Sequence, residues 1–139
     1  MSLMPPRHIG IVSSSRADVG ILLPIIERLR QQPDLELCLI ATGMHLSPEF
    51  GMTVKEFEEA GIPVRERVES LVSSDTPEAI GTSIGRGVVG FAQLFSRWKP
   101  DILLVTGDRF EMCAAAIAAL PYKIPIAHME GNYFLEESE

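Results

Sequence analysis

Aromatic residues are scarce in this chain, at 6% of 139 residues with a single tryptophan. Any core must therefore be aliphatic. Cysteine is scarcer still. Cys38 and Cys113 stand alone, without a CxxC partner or metal-ligand spacing, which excludes a disulfide framework and a thiolate metal centre. Both lie in apolar segments and read as buried thiols of a reducing compartment. No apolar run approaches the roughly 20 residues that a bilayer requires; the longest runs from Met112 to Pro121. Residues Met1 to Arg7 lack the apolar core of a signal peptide. A cytoplasmic protein without a membrane partner is expected. Positive charge is also in deficit, with 12 Lys and Arg against 19 Asp and Glu and a net charge of −7. No basic cluster is interleaved with aromatics, so nucleic acid is not an expected partner. A locally positive site for an anionic small molecule remains compatible with that balance.

Hydrophobic residues make up 46% of the chain, and they fall into short segments of alternating period. Residues 8–13 (HIGIVS), 35–42 (LELCLIAT), 64–68 (VRERV), 101–106 (DILLVT) and 124–129 (IPIAHM) read as strands. Between them lie helical patterns: one carrying Leu22, Leu23, Ile26 and Leu29, one near 53–60, one from Pro77 to about Lys99, and an alanine-rich one over 109–120. Asp18 is placed to cap the first, and Asp75 or Thr76 the third. Strand 64–68 alternates apolar with charged residues and belongs at an edge, whereas 101–106 is fully apolar and belongs at the centre of a parallel sheet. No hairpin signal, repeat or linker interrupts the order. The fold expected is a single α/β domain, a doubly wound parallel sheet over residues 8–131. Four glycines within one helix, Gly81, Gly85, Gly87 and Gly90, imply close packing against the sheet or against another helix, including that of a second copy in a homo-oligomer.

In such sheets ligands bind outside the carboxyl ends of the strands. Ser13 to Gly20 follows the first strand and opens a helix, where backbone N–H groups favour anions and Arg16 adds a fork suited to phosphate, or else a capped helix start with a solvated Arg16. The pattern is neither GxGxxG nor a P-loop. Gly107-Asp108-Arg109 follows the most apolar strand. An acid and an arginine there make a site carboxylate and a phosphate or sugar contact, or else a local Asp108–Arg109 ion pair or helix cap. His128 and Glu130 end the next strand, two apart and so on one face. Neighbouring strand ends would bring Asp108 near Glu130, an arrangement suited to acid–base chemistry. His45 lies in the glycine-flanked second loop, as a candidate ligand contact or a plain surface histidine.

Five segments in this order, SRADVG (15–20), ATGMHLSPEFG (41–51), LVSSDTPEAI (71–80), PDILLVTGDRFE (100–111) and IPIAHMEG (124–131), resemble the hydrolysing UDP-N-acetylglucosamine 2-epimerases. The resemblance implies the N-terminal, Rossmann-like half of a two-domain enzyme of the GT-B architecture. It implies conversion of UDP-N-acetylglucosamine to N-acetylmannosamine and UDP, for sialic-acid-type sugars, without metal or redox cofactor. By the same resemblance Asp108 and Glu130 are catalytic, and Arg16, His45, Arg109 and His128 bind the UDP-sugar.

Two departures stand out. Ser14 and Val19 replace a glycine and a tyrosine of the family's first motif. After Gly131 the family continues Gly-Glu, whereas this chain reads Asn132-Tyr133-Phe134, so residues 132–139 form a divergent or truncated tail. The implied second domain is not among the 139 residues, and no turnover is expected from them alone. A sugar-nucleotide transferase of the same architecture and a non-enzymatic α/β ligand-binding module are the alternatives.

Overall fold

In a computed structural model, the structure describes residues 5–48 and 52–130. Nine elements and one 3-10 turn alternate along the chain: β1 Arg7–Ser13, α1 Arg16–Arg30, β2 Leu35–Thr42, a 3-10 turn Gly43–Leu46, α2 Lys55–Glu59, β3 Val64–Val68, α3 Pro77–Arg97, β4 Ile102–Thr106, α4 Phe110–Ala119 and β5 Ile126–Met129. The divergent tail from Asn132 lies outside the described residues.

All strand pairings are parallel, in the order β3-β2-β1-β4-β5. The expected doubly wound sheet is therefore present. As expected, β3 is an edge strand. β1 rather than β4 is central; β4 is interior, covered by β1 and β5, which suffices for its unbroken apolar run.

Successive residues of a strand point to opposite faces, and the core divides accordingly. Val12, Ile40, Leu103 and Val105 pack under α3 and α4, with Phe91, Leu94, Phe95, Met112 and Ala115. Ile11, Leu39 and Leu104 pack under α1 and α2, with Leu22, Ile26 and Phe57. Two of the four α3 glycines explain themselves by close approach. A Cβ at Gly87 would lie 2.9 Å from the Ala114 Cβ on α4, and one at Gly90 would lie 2.6 Å from a Val68 methyl on β3. Gly81 and Gly85 face open space.

The helix starts differ from expectation in one place. Asp18 is not the residue that opens α1. Ser15 is the N-cap, and Asp18 sits in the first turn and reaches back. Its Oδ2 accepts hydrogen bonds from Ser14 N, Ser15 N and Ser14 Oγ at 2.7, 3.2 and 3.1 Å. α3 is capped by Thr76, whose Oγ1 accepts from Ala79 N at 3.1 Å. Of the two cysteines, Cys38 is buried as expected, but Cys113 is exposed. It sits on the outer side of α4, which is apolar yet solvent-facing.

Candidate functional site

The sheet order reverses direction between β1 and β4, and the loops after these two strands flank a switch-point crevice. Ser13 to Ser15 form one side and Gly107 to Arg109 the other. β5 extends the second side, since Thr106 pairs with Met129 and Gly107 N donates to Met129 O at 2.7 Å.

Asp108 and Glu130 thus leave the same end of two paired strands, and both are exposed. Glu130 has a φ of 56°. The strand ends at Met129, so the alternation expected to put Glu130 on the face of His128 does not reach it. His128 is exposed on the edge strand, and its Nε2 lies 2.7 Å from the Gly107 carbonyl oxygen. That contact ties the β5 side chain to the turn that carries Asp108.

The first loop is capped rather than open. The backbone N–H groups of Ser14 and Ser15 that could meet an anion are engaged by the Asp18 carboxylate. Arg16 points outward, 78% exposed, with its Nε 3.3 Å from Glu56 of α2. Such an exposed pair is weak and easily exchanged for another anion.

His45 is fully buried instead of lying on a solvated loop. Its Nε2 is 2.6 Å from Ser13 Oγ, and its Nδ1 is 2.8 Å from Thr53 Oγ1. Its backbone N–H donates to Ser14 O at 3.2 Å, and its ring meets Phe57 edge-on. Burial pushes its pKa below the usual histidine range, against a smaller opposing pull from Asp18 and Glu56. A neutral ring thereby locks the 3-10 turn to the end of β1.

The bland alternative of an Asp108–Arg109 pair is replaced by a different one. Arg109 donates from Nε and Nη2 to the two carboxylate oxygens of Glu111, at 3.0 and 3.1 Å. Glu111 is buried in the first turn of α4, directly beneath Gly43. Gly43 has a φ of 61°, and a Cβ there would come within 2.5 Å of Glu111 Oε2. Glycine satisfies both the left-handed backbone and the close approach. The pair closes on itself at the start of α4, packed against the end of β2 at Gly43.

Glu111 was missed as a positioning residue, although it is the one charged side chain within an otherwise apolar helix. A cavity of about 400 Å³ lies between two strand-end loops, Leu71 to Asp75 after β3 and Arg109-Phe110 after β4. A second cavity, of about 320 Å³, opens at the opposite end of the sheet around Leu35, Glu36 and Pro63, away from these residues. Among the described residues the buried Thr106 Oγ1, at the end of β4, finds no hydrogen-bond partner.

A parallel sheet in this order, with acids and arginines on the loops around its switch point, defines a Rossmann-like α/β domain. The family model for UDP-N-acetylglucosamine 2-epimerase matches residues 27–134, and the chain belongs to that family. It is 35% identical over 126 residues to UDP-N,N'-diacetylbacillosamine 2-epimerase (hydrolyzing) of Legionella pneumophila, covering 91% of this chain and 33% of that protein. It is 36% identical over 129 residues to GDP/UDP-N,N'-diacetylbacillosamine 2-epimerase (hydrolyzing) of Campylobacter jejuni, covering 93% and 33%. The Methanocaldococcus jannaschii UDP-GlcNAc 2-epimerase, solved in complex with UDP-GlcNAc and UDP, superposes with a TM-score of 0.71 at 27% identity, over 87% of this chain and 32% of that one. The chain thus spans about a third of the length of the relatives it matches.

Proposed function

We propose that this chain supplies the first domain of a hydrolysing UDP-N-acetylglucosamine 2-epimerase, whose second domain faces the strand-end crevice. The observation that carries the reading is the exit of Asp108 and Glu130 from one end of two hydrogen-bonded strands. Two of the similar proteins are named as hydrolysing enzymes, which favours water as the co-substrate.

In this reading one carboxylate removes the proton at C2 of the sugar while the bond from C1 to the UDP oxygen breaks. The product of that step is UDP and an unsaturated 2-acetamidoglucal. Water then adds at C1 and a proton returns to C2 from the opposite side, giving N-acetylmannosamine. Asp108 and Glu130 carry the protons. Arg16 meets the departing diphosphate by giving up its weak contact with Glu56, and Arg109 contacts the sugar. His128 holds the Asp108 turn through Gly107. His45 acts from beneath, keeping the loop after β1 in register with the 3-10 turn. Turnover requires residues of the second domain, so these 139 residues alone are inactive.

The test is incubation of the full-length protein with UDP-N-acetylglucosamine in deuterated water. Free UDP and N-acetylmannosamine with deuterium at C2 are expected. Release of UDP only when an acceptor sugar is supplied would make the protein a transferase. No release from any UDP-sugar would leave a binding module.

A further inference from the structure

The cavity of about 320 Å³ at the amino ends of the strands lies between the last turn of α1, the start of β2 and the entry to β3. Along the 8 residues of β2 it is roughly 20–25 Å from the strand-end crevice. It exists because two neighbouring strands start at different heights. β2 begins at Leu35, but β3 pairs with it only from Leu39 onward. Residues 35–38 therefore have β1 on one side and the cavity on the other. Ile11, Ile26, Leu39 and Ile62 form a buried apolar floor, and Leu35 and Leu37 stay half-buried above it.

The charge offered to this cavity is positive. Arg30 stands on the last turn of α1. Arg65 has no partner in the β2–β3 register, because Leu39 pairs with Val64 and Ile40 with Glu66. Such an irregularity re-aims a side chain, and Arg65 lines the cavity. Among the described residues Arg65 has no ion pair. Arg30 holds only Glu27, at 3.1 Å, an exposed contact easily exchanged for another carboxylate. The one acid of the lining, Glu36, belongs to the other face of the sheet, since alternation separates it from Leu35 and Leu37. Its carboxylate meets His8 Nδ1 there, at 3.3 Å. The carbonyl end of α1 opposes an anion with about half a negative charge, less than two guanidinium groups supply. No hydroxyl, amide or aromatic side chain is in the lining among the described residues, so a sugar or a base would find little to recognise it. Apolar walls with a few placed polar groups are the usual build of a small-molecule site.

We propose that this cavity binds a small amphipathic carboxylate, with its aliphatic chain on Leu35, Leu37 and Ile62 and its acid group between Arg30 and Arg65. Nothing in the site depends on the epimerase reading, because the cavity shares no residue with the strand-end crevice.

The probe is octanoate, titrated into the full-length protein and followed by methyl and amide NMR. Saturable shifts at Ile26, Leu37 and Ile62 are expected, with a Kd on the order of 1 mM, while the Asp108 and His128 amides stay in place. Octanol, with the same chain and no charge, is expected to bind about tenfold more weakly, as for a lost hydrogen bond to a charged group. Acetate, which has the head without the chain, should leave the three methyls unmoved. Arg65 is exposed, so Arg65→Gln does not threaten folding. This variant is expected to bind octanoate about threefold more weakly and octanol as before. Saturating UDP-N-acetylglucosamine should not displace octanoate. Absence of saturable shifts at the three methyls overturns the proposal. So does equal binding of octanoate and octanol, unchanged octanoate binding by Arg65→Gln, or displacement by the UDP-sugar.

Discussion

The guanidinium of Arg109 grips both oxygens of Glu111, a carboxylate with 1% of its side chain exposed, while a third of the arginine side chain, 35%, still meets solvent. The pair is asymmetric, and so are its expected losses. Arg109→Ala strands a buried charge and is expected to cost about 3–5 kcal/mol. Glu111→Gln leaves an arginine that water can reach, and should cost below about 2 kcal/mol. Urea unfolding of both variants checks the order; equal losses would refute the account.

The same carboxylate makes Gly43 irreplaceable in a way that Gly61 is not. Both glycines have positive φ, 61° and 80°, but nothing lies within 4 Å of a Cβ built at Gly61. Gly61→Ala should cost only the left-handed backbone penalty, about 1–2 kcal/mol. Gly43→Ala should lose about 1–3 kcal/mol more, since the new methyl must displace Glu111. Equal unfolding midpoints for the two variants would show that Glu111 moves aside freely.

His45 makes stability depend on pH. Burial lowers its folded pKa, so as pH falls the unfolded chain takes up the proton first, near the ordinary value of about 6.5. The contribution of the neutral ring is complete above that pH and is lost as pH falls toward the lower folded value. The urea midpoint of the wild type is expected to drop between about pH 7 and pH 5 more steeply than that of His45→Gln. Parallel curves would assign the pH dependence elsewhere.

The cysteines should separate chemically. Cys38 is buried, and burial, aided by Glu66, pushes its thiol up to about 11. Cys113 is exposed on α4. Iodoacetamide at about pH 8 should modify Cys113 alone in the native protein, and both residues in urea. Mass spectrometry of the peptides reads this out; native labelling of Cys38 would mean that β2 opens readily.

Asp108 is exposed at the strand end, so Asp108→Asn should leave the unfolding midpoint within about 0.5 kcal/mol. In the full-length protein the same change is expected to reduce turnover at least a hundredfold, as for a lost proton carrier. Unchanged turnover would remove Asp108 from the chemistry.

Much of this was legible in the sequence because it is local. Period, capping residues and glycine placement define β1 through β5 to within two residues at most ends, and short alternating segments without hairpins leave few arrangements besides a parallel sheet. The candidate site was legible as far as strand ends point, which places Asp108, Arg109, His128 and Glu130 at one edge. What the sequence by itself determined is therefore the list of elements, the strand-end loops and the residues on them. Only the tertiary structure decided who meets whom. Glu111 is buried because α4 starts beneath Gly43, and His45 is buried because Ser13 and Thr53, 32 and 8 residues away, claim both its nitrogens. Such pairings depend on distances across the fold, which spacing along the chain does not encode.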